Sequence, residues 1–344
     1  MEGQVRAEDD TTPFATPTRS RIAPGGGGSS FSLDRADGDC GFSMGAADRI
    51  GGRSQLEDEY TVRNDLPGAW SVCAVYDGHG GRSVARYLRD NAVESVAKFL
   101  NEGDNEATLQ KAIHLGLDGL DRAILDEINS KRISKHVGEG HRANRSNLEG
   151  TKGAMELESD AGSTACFVFL NRPLGMVVVA NVGDCRAVFC RNGTAEVLTT
   201  DQKPSRPEEK ERIKVAGGWV AGGRVCGILG VSRSFGDIEF KRWHNMGNPE
   251  SGSDSATCSI DQSSYLVVAT PEVQTVAMYP GGEFVIVACD GVWDVLSPQM
   301  AVDSVTSSLK SSPGDPGSAA DALVSRALEM GSSDNCTAVI CILD

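Results

Sequence analysis

The sequence is poor in positive charge and in the soft side chains that build sulfur or imidazole metal sites. Its 33 Lys and Arg face 48 Asp and Glu, a formal charge of -15. That balance argues against a general nucleic-acid binder or a binder of anionic membranes, and leaves room only for a local basic patch. There are five His and ten Cys, with no Cys-x-x-Cys pair. Cys166, Cys289 and Cys341 sit in apolar runs, which fits buried thiols in a reducing compartment better than a disulfide scaffold. No apolar run approaches a membrane span, and no plain secretory signal precedes the first ordered-looking segment. Neither an internal repeat nor a coiled coil is required.

What is present is a set of carboxylates at the ends of hydrophobic segments far apart in the chain. They are Glu57 and Asp58, Asp77 after Val72-Cys73-Ala74-Val75-Tyr76, Asp290 after Phe284-Val285-Ile286-Val287-Ala288-Cys289, and Asp334 beside Asn335. Acids gathered in one cleft repel unless a divalent cation is shared among them. Oxygen donors without a Cys/His cluster favour Mg2+ or Mn2+, and two such ions suit hydrolysis of a phosphate ester by activated water. Taken singly, an Asp-Gly turn, a capping Asp-Asn pair or a surface Arg-Glu pair would explain each position.

The 344 residues allow one large domain or two smaller ones. Residues 1–40 combine Thr-Pro pairs, scattered charge and a Gly25–Gly28 run, which reads as a mobile tail. Glu8, Asp9 and Asp10 weaken a transit-peptide reading, so a cytoplasmic or nuclear location is expected, with the chloroplast as the alternative. Residues 71–76 read as a buried strand, and the glycines after Asp77 allow a tight turn into a helix over 82–100. Leu109, Ile113, Leu117, Leu120, Ile124 and Ile128 recur at helical spacing and predict a second helix over 107–128. The polar stretch 131–159 reads as a surface excursion. Strands are expected at 165–170, 176–180, 186–190, 265–268, 284–289 and 336–342, and helices at 207–215, 298–309 and 319–329. The short spacing of the middle strands suggests an antiparallel meander under helices rather than repeated βαβ units. A loop insertion is expected near 241–262.

In this order the motifs Arg53-Ser54-Gln55-Leu56-Glu57-Asp58, Asp77-Gly78-His79-Gly80-Gly81, Gly162-Ser163-Thr164, Asn181-Val182-Gly183-Asp184, Ser234-Phe235-Gly236-Asp237, Asp290-Gly291-Val292-Trp293-Asp294 and Asp334-Asn335 resemble the PPM, or PP2C, family of metal-dependent protein serine/threonine phosphatases, over roughly residues 41–344. The resemblance implies an α+β fold, an α-β-β-α sandwich of two central antiparallel β-sheets flanked by helices, with a bimetal centre at one end. It assigns metal coordination to Asp77, Asp290 and Asp334 and to the Gly78 carbonyl, a metal-shell role to Glu57, and ordering of metal-bound water to Asp58. It makes Arg53 the phosphate clamp and His79 the general acid. If 53–58 is extended, Arg53 and Glu57 share one face and Asp58 the other.

A weaker third ion has Asp160 and Asp237 as candidate donors, although Ser159 stands where many relatives carry the acid, with Glu158 and Asp160 on either side. The segment near 201–230 resembles the family's flap, in which Arg206, Lys210, Arg212, Lys214 and Arg224 alternate with Glu208, Glu209 and Glu211. The flap wording is closest to plant and algal members, including the chloroplast phosphatase of light-harvesting antenna proteins. The expected partner is a phosphoserine or phosphothreonine protein, and the chain is expected to be a monomer. The competing readings are a catalytically silent phosphoprotein-binding scaffold and a metal-dependent nuclease or small-ester phosphatase. The full set of acids with His79 disfavours the first, and the motif order and negative charge the second.

Overall fold

Strands apolar on both faces satisfy their side chains only when sandwiched between two layers. The computed structural model, which describes residues 30–33, 41–101, 103–139, 157–241 and 264–343, is built that way. In chain order the principal strands are β1 (Ser30–Leu33), β2 (Ser43–Arg49), β3 (Glu59–Leu66), β4 (Trp70–Tyr76), β5 (Ala165–Asn171), β6 (Met176–Val182), β7 (Arg186–Arg191), β8 (Thr194–Val197), β9 (Glu272–Ala277), β10 (Gly282–Ala288) and β11 (Cys336–Ile342). The helices are α1 (Ser83–Ala97), α2 (Glu106–Glu139), α3 (Pro207–Val215), α4 (Asp290–Trp293), α5 (Pro298–Ser311) and α6 (Pro316–Glu329). One antiparallel sheet runs β1-β2-β11-β10-β7-β8 and the other β9-β6-β5-β4-β3.

Alternation along each strand sorts side chains into three cores. On β4, Trp70, Val72, Ala74 and Tyr76 join the core under α1 and α2, whereas Cys73 and Val75 join the core between the sheets. On β10, Val285 and Val287 enter that same inter-sheet core, and Phe284, Ile286 and Ala288 pack with α5 and α6. Each fully buried large side chain contributes about 1.5–3 kcal/mol, so the sheets are fixed by their own sequence parity. The α-β-β-α sandwich expected from the motifs is therefore the observed fold.

Helix α1 buries Val84, Ala85, Leu88, Ala92, Val93 and Val96. Helices α5 and α6 each begin with Pro at a first-turn position, after Ser297 and Asp315, whose side chains accept from Met300 N–H and Ser318 N–H.

Four local expectations need correction. Helix α2 continues to Glu139, into the stretch read as a surface excursion, since no Pro or Gly interrupts residues 129–137. Residues 265–268 form no sheet strand. Leu266 and Val267 instead pack with Ile213, Ala216 and Val225 of the segment read as a flap, and Val268 makes one isolated bridge to Arg233. Strands β2, β3, β8 and β9 were not anticipated: β2 is rich in Ala and Gly, β3 in charge, and β8 and β9 lie at sheet edges. Strand β1 lies within the segment read as a tail and pairs with β2. The insertion expected near 241–262 lies, apart from Lys241, outside the described residues, as does most of the tail.

Candidate active site

Strand ends place three acids together. Asp77 follows β4, Asp184 lies two residues beyond β6, and Asp290 opens α4 directly after β10 and Cys289. One carboxylate oxygen from each brings three donors within 4.8 Å of one another. Asp77 and Asp184 come from one sheet and Asp290 from the other, so the cluster closes one end of the sandwich. Burial, reinforced by Asp58, Asp290, Asp184 and Asp334, holds Asp77 well above the usual carboxylate range. Burial and Asp184 push Asp290 up to about 6, against the opposing charge of Lys203. A divalent cation reverses both effects, because it stabilises the ionised form of every acid that faces it.

Asp184 was not singled out as a ligand from the sequence, yet it carries the same signal as Asp77 and Asp290, an acid just past an apolar strand. Its loop is fixed by the buried Gln202 amide, which accepts from Gly183 N–H at 2.6 Å and donates to Asn181 O at 3.2 Å. Next to it, Lys203 is hydrogen-bonded to Asp184 and lies 3.8 Å from Asp290. Lys203 thus brings one positive charge to the acids.

Asp58 is buried, and burial pushes its carboxyl up to about 7, with the Thr337 and Cys289 hydrogen bonds opposing and the charges of Asp290 and Asp334 adding. Thr337 Oγ1, from β11 in the opposite sheet, donates to it at 2.7 Å. Glu57 Oε1 accepts from Gly81 N–H at 2.8 Å, at the turn after His79. A Cβ on Gly78 would stand 2.4 Å from the Glu57 carbonyl oxygen, so this crossing requires glycine.

Residues 51–55 form a turn rather than an extended segment, which replaces the parity argument for Arg53. Asn335 is the peg of that turn. Its Nδ2 donates to Ile50 O and Gln55 O, and its Oδ1 accepts from Glu57 N–H. The turn brings Arg53 Nη2 to Asp334 Oδ2 at 2.6 Å, both side chains open to solvent. Arg53, Asp334, Asp58 and the three clustered acids therefore gather at one end of the molecule.

His79 and Asp237 meet across a small sheet in which His79 pairs with Gly162, and Gly162 with Gly236. Two strand spacings, about 9.5 Å, separate the outer strands, and a glycine in the middle lets the imidazole reach across. His79 Nε2 lies 2.8 Å from Asp237 Oδ2. A Cβ on Gly162 would stand 2.3 Å from Asp237 Oδ2 and 2.4 Å from His79 Nε2. Burial alone would lower the His79 pKa, but the charge and hydrogen bond of Asp237 outweigh it and raise the value. Asp237 itself is buried, accepts from Ser234 Oγ, and holds a left-handed backbone with φ of 47°.

Asp160 is exposed and its Oδ1 accepts from Ser159 Oγ at 2.9 Å, outside the three-acid cluster. The flap cations are mostly spoken for. Arg206 pairs with Glu272 and Arg212 with Glu209, while Arg224 donates to Ile228 O. Glu209, on a helix read as solvated, is buried between Arg212 and Arg233.

The family model described as protein phosphatase 2C matches residues 41–336. The chain is 32% identical over 264 residues to protein phosphatase 2C 1 of Paramecium tetraurelia, covering 77% of each. It is 32% identical over 306 residues to protein phosphatase 2C 57 of Arabidopsis thaliana, covering 84% of this chain and 72% of that one. Among solved structures, a phosphatase from a pathogenic strain of Toxoplasma gondii aligns with a TM-score of 0.65 at 23% identity, over 88% of this chain and 92% of the other. A sex determining protein of C. elegans aligns with a TM-score of 0.66 at 23% identity; it covers 88% of this chain, which in turn spans 65% of that longer one.

Proposed function

We propose, from the premise that the chain belongs to the protein phosphatase 2C family, that it hydrolyses phosphoserine and phosphothreonine in proteins through a binuclear Mg2+ or Mn2+ centre. The observation that carries this reading is the convergence of Asp77, Asp184 and Asp290. Their donors are all hard oxygens, and the upward pressure on Asp77 and Asp290 is what a cation relieves, so the residues fit such ions. Asp77, Asp184, Asp290, Asp334 and the Gly78 carbonyl would hold the two ions, with Glu57 and Asp58 supporting their water shell. Bound there, the cations lower the pKa of water and neutralise charge on phosphate. A weaker third ion is left with Asp160 as its donor, since Asp237 is engaged by His79 and Ser234.

The protein groups act on substrate directly. Arg53 exchanges its partner Asp334 for two phosphate oxygens, a fork geometry that suits guanidinium. His79, with Nε2 held by Asp237, gives the Nδ1 proton to the departing serine or threonine oxygen. The finer kinship with plant and algal members rests on the wording of residues 217–241, and an antenna phosphoprotein is the substrate that this resemblance would imply; an Arabidopsis protein is among the similar chains. The Paramecium relative is equally similar, so the reading stays with phosphoserine and phosphothreonine proteins in general. No helix among the described residues is long and apolar enough to cross a membrane.

The test is hydrolysis of a phosphothreonine peptide with magnesium or manganese, loss in excess chelator and recovery on adding cation. Full turnover in chelator would overturn the mechanism. Cation-dependent binding of the peptide without turnover would favour the scaffold reading.

A further inference from the structure

A Lys and an Asp separated by 120 residues form a fully buried ion pair. Lys241 Nζ lies 2.7 and 2.8 Å from the two oxygens of Asp121, which projects from the middle of α2. Neither side chain is more than 2% exposed. A buried pair of this kind is weak evidence for stability, because desolvating both ions offsets their attraction. Its other hydrogen bonds show what it holds. Lys241 Nζ also donates to Ser234 O at 2.8 Å, and Asp121 Oδ1 also accepts from Gly236 N–H at 3.1 Å. Both groups belong to the short turn that presents Asp237.

That turn is in a conformation it would not keep unaided. Gly236 and Asp237 both have positive φ, 74° and 47°, and for a non-glycine residue this persists only where the surroundings over-determine it. The Ser234 hydroxyl donates to the Asp237 oxygen that also meets His79 Nε2, so a shift of Ser234 or Gly236 moves the group that orients the imidazole.

We infer that Asp121 and Lys241 are positioning residues for the proton donor, clamping the Ser234–Asp237 turn from both sides so that Asp237 stays in register with His79. The inference rests on the reading of His79 as the leaving-group acid. It makes α2 and the residue at the start of the 241–262 segment part of the apparatus that sets the imidazole, although neither residue touches substrate.

The experiment uses the full chain with Lys241→Met, and with Asp121→Asn and Lys241→Met combined. The double variant buries no charge and keeps an oxygen for Gly236 N–H, but Ser234 O loses its donor. Three quantities are read: magnesium affinity by calorimetry, kcat and KM on a phosphoseryl peptide and on p-nitrophenyl phosphate, and the imidazole N–H signal of His79 by NMR, assigned by its loss in His79→Gln. In the double variant, magnesium affinity and KM are expected to hold. The kcat on the phosphoseryl peptide falls about 10-fold or more, and on the phenolic ester, whose leaving group needs little protonation, less than about 3-fold. The imidazole signal moves upfield as its hydrogen bond to Asp237 weakens.

A folded double variant with native kcat on both esters and an unmoved signal overturns the inference. So does equal loss on both esters with loss of magnesium, or a double variant that does not fold, since each assigns the pair to the fold alone. If the native chain turns over neither ester, the proposed function fails, and the imidazole signal still decides whether the pair positions His79.

Discussion

Replacing Glu209 by Gln tests how helix α3 is fastened. Glu209 sits in the first turn of α3 with its carboxylate almost fully buried, receiving Arg233 at 2.6 Å and Arg212 at 2.9 Å. Burial alone would raise its pKa, but the Arg233 hydrogen bond and the charges of both arginines outweigh it and lower the value from 4.5 to about 2. A depressed folded-state pKa contributes stability that is complete above the unfolded value and lost as pH falls toward the folded one. A shift of roughly 2.5 units corresponds to about 3 kcal/mol at neutral pH, of which about 1.5 kcal/mol remains at pH 3. Glu209→Gln removes the titration and leaves Arg212 and Arg233 without their shared acceptor. Urea unfolding of native and variant chains is therefore expected to differ by about 3 kcal/mol at pH 7, with the gap narrowing by roughly half at pH 3. A gap that does not change between these pH values, or one below about 0.5 kcal/mol at pH 7, would refute the assignment of Glu209 as a charge-paired anchor.

Asp290→Ala is expected to cut turnover of a phosphothreonine peptide by about 10²-fold or more at fixed magnesium, with a weaker magnesium titration by calorimetry; native values for both would remove it from the ligand set. Gly162→Ala inserts a methyl group at 2.3 Å from Asp237 and 2.4 Å from His79, and kcat on a phosphoseryl peptide is expected to fall about 10²-fold while magnesium affinity holds. Unchanged kcat there would mean that the two side chains need not touch. Asn335→Leu strands Ile50 O, Gln55 O and Glu57 N–H, and is expected to cost about 3 kcal/mol in urea unfolding and to raise KM for phosphopeptide as the Arg53 turn loosens.

The sandwich was legible because strands such as β4 and β10 carry unbroken apolar runs, from Val72 to Tyr76 and from Phe284 to Ala288, a pattern that a doubly covered sheet explains. Edge and charged strands carry no such mark: β3 reads as polar, and its first residue, the buried Glu59, is neutralised by Arg82, just before α1, and Arg89, on α1, two partners that periodicity does not reveal. Asp77 and Asp290 were readable from their place after apolar runs, and Asp184 satisfied the same rule without being drawn from it. The role of Asp237 beside His79 was only partly legible, since the contact depends on a glycine in a strand between them. The buried state of Glu209 was hidden for a related reason. Arg233 lies 24 residues away, and nothing local distinguishes a paired helix acid from a solvated one.

The two sheets are held by side chains that interlock only through apolar contact along most of their length, but at the acidic end Asp58 of one accepts a hydrogen bond from Thr337 of the other, and Asp290 faces Asp77 and Asp184. A cation captured there fastens one sheet to the other like a clasp. Thermodynamic linkage then requires that folding and cation concentration rise together, with a gain of about 2.7 kcal/mol at 100 times the dissociation constant. On the proposed reading, resistance to unfolding and proteolysis would become a gauge of free divalent cation, and depletion of magnesium would loosen the scaffold at the same moment that it silenced the chemistry.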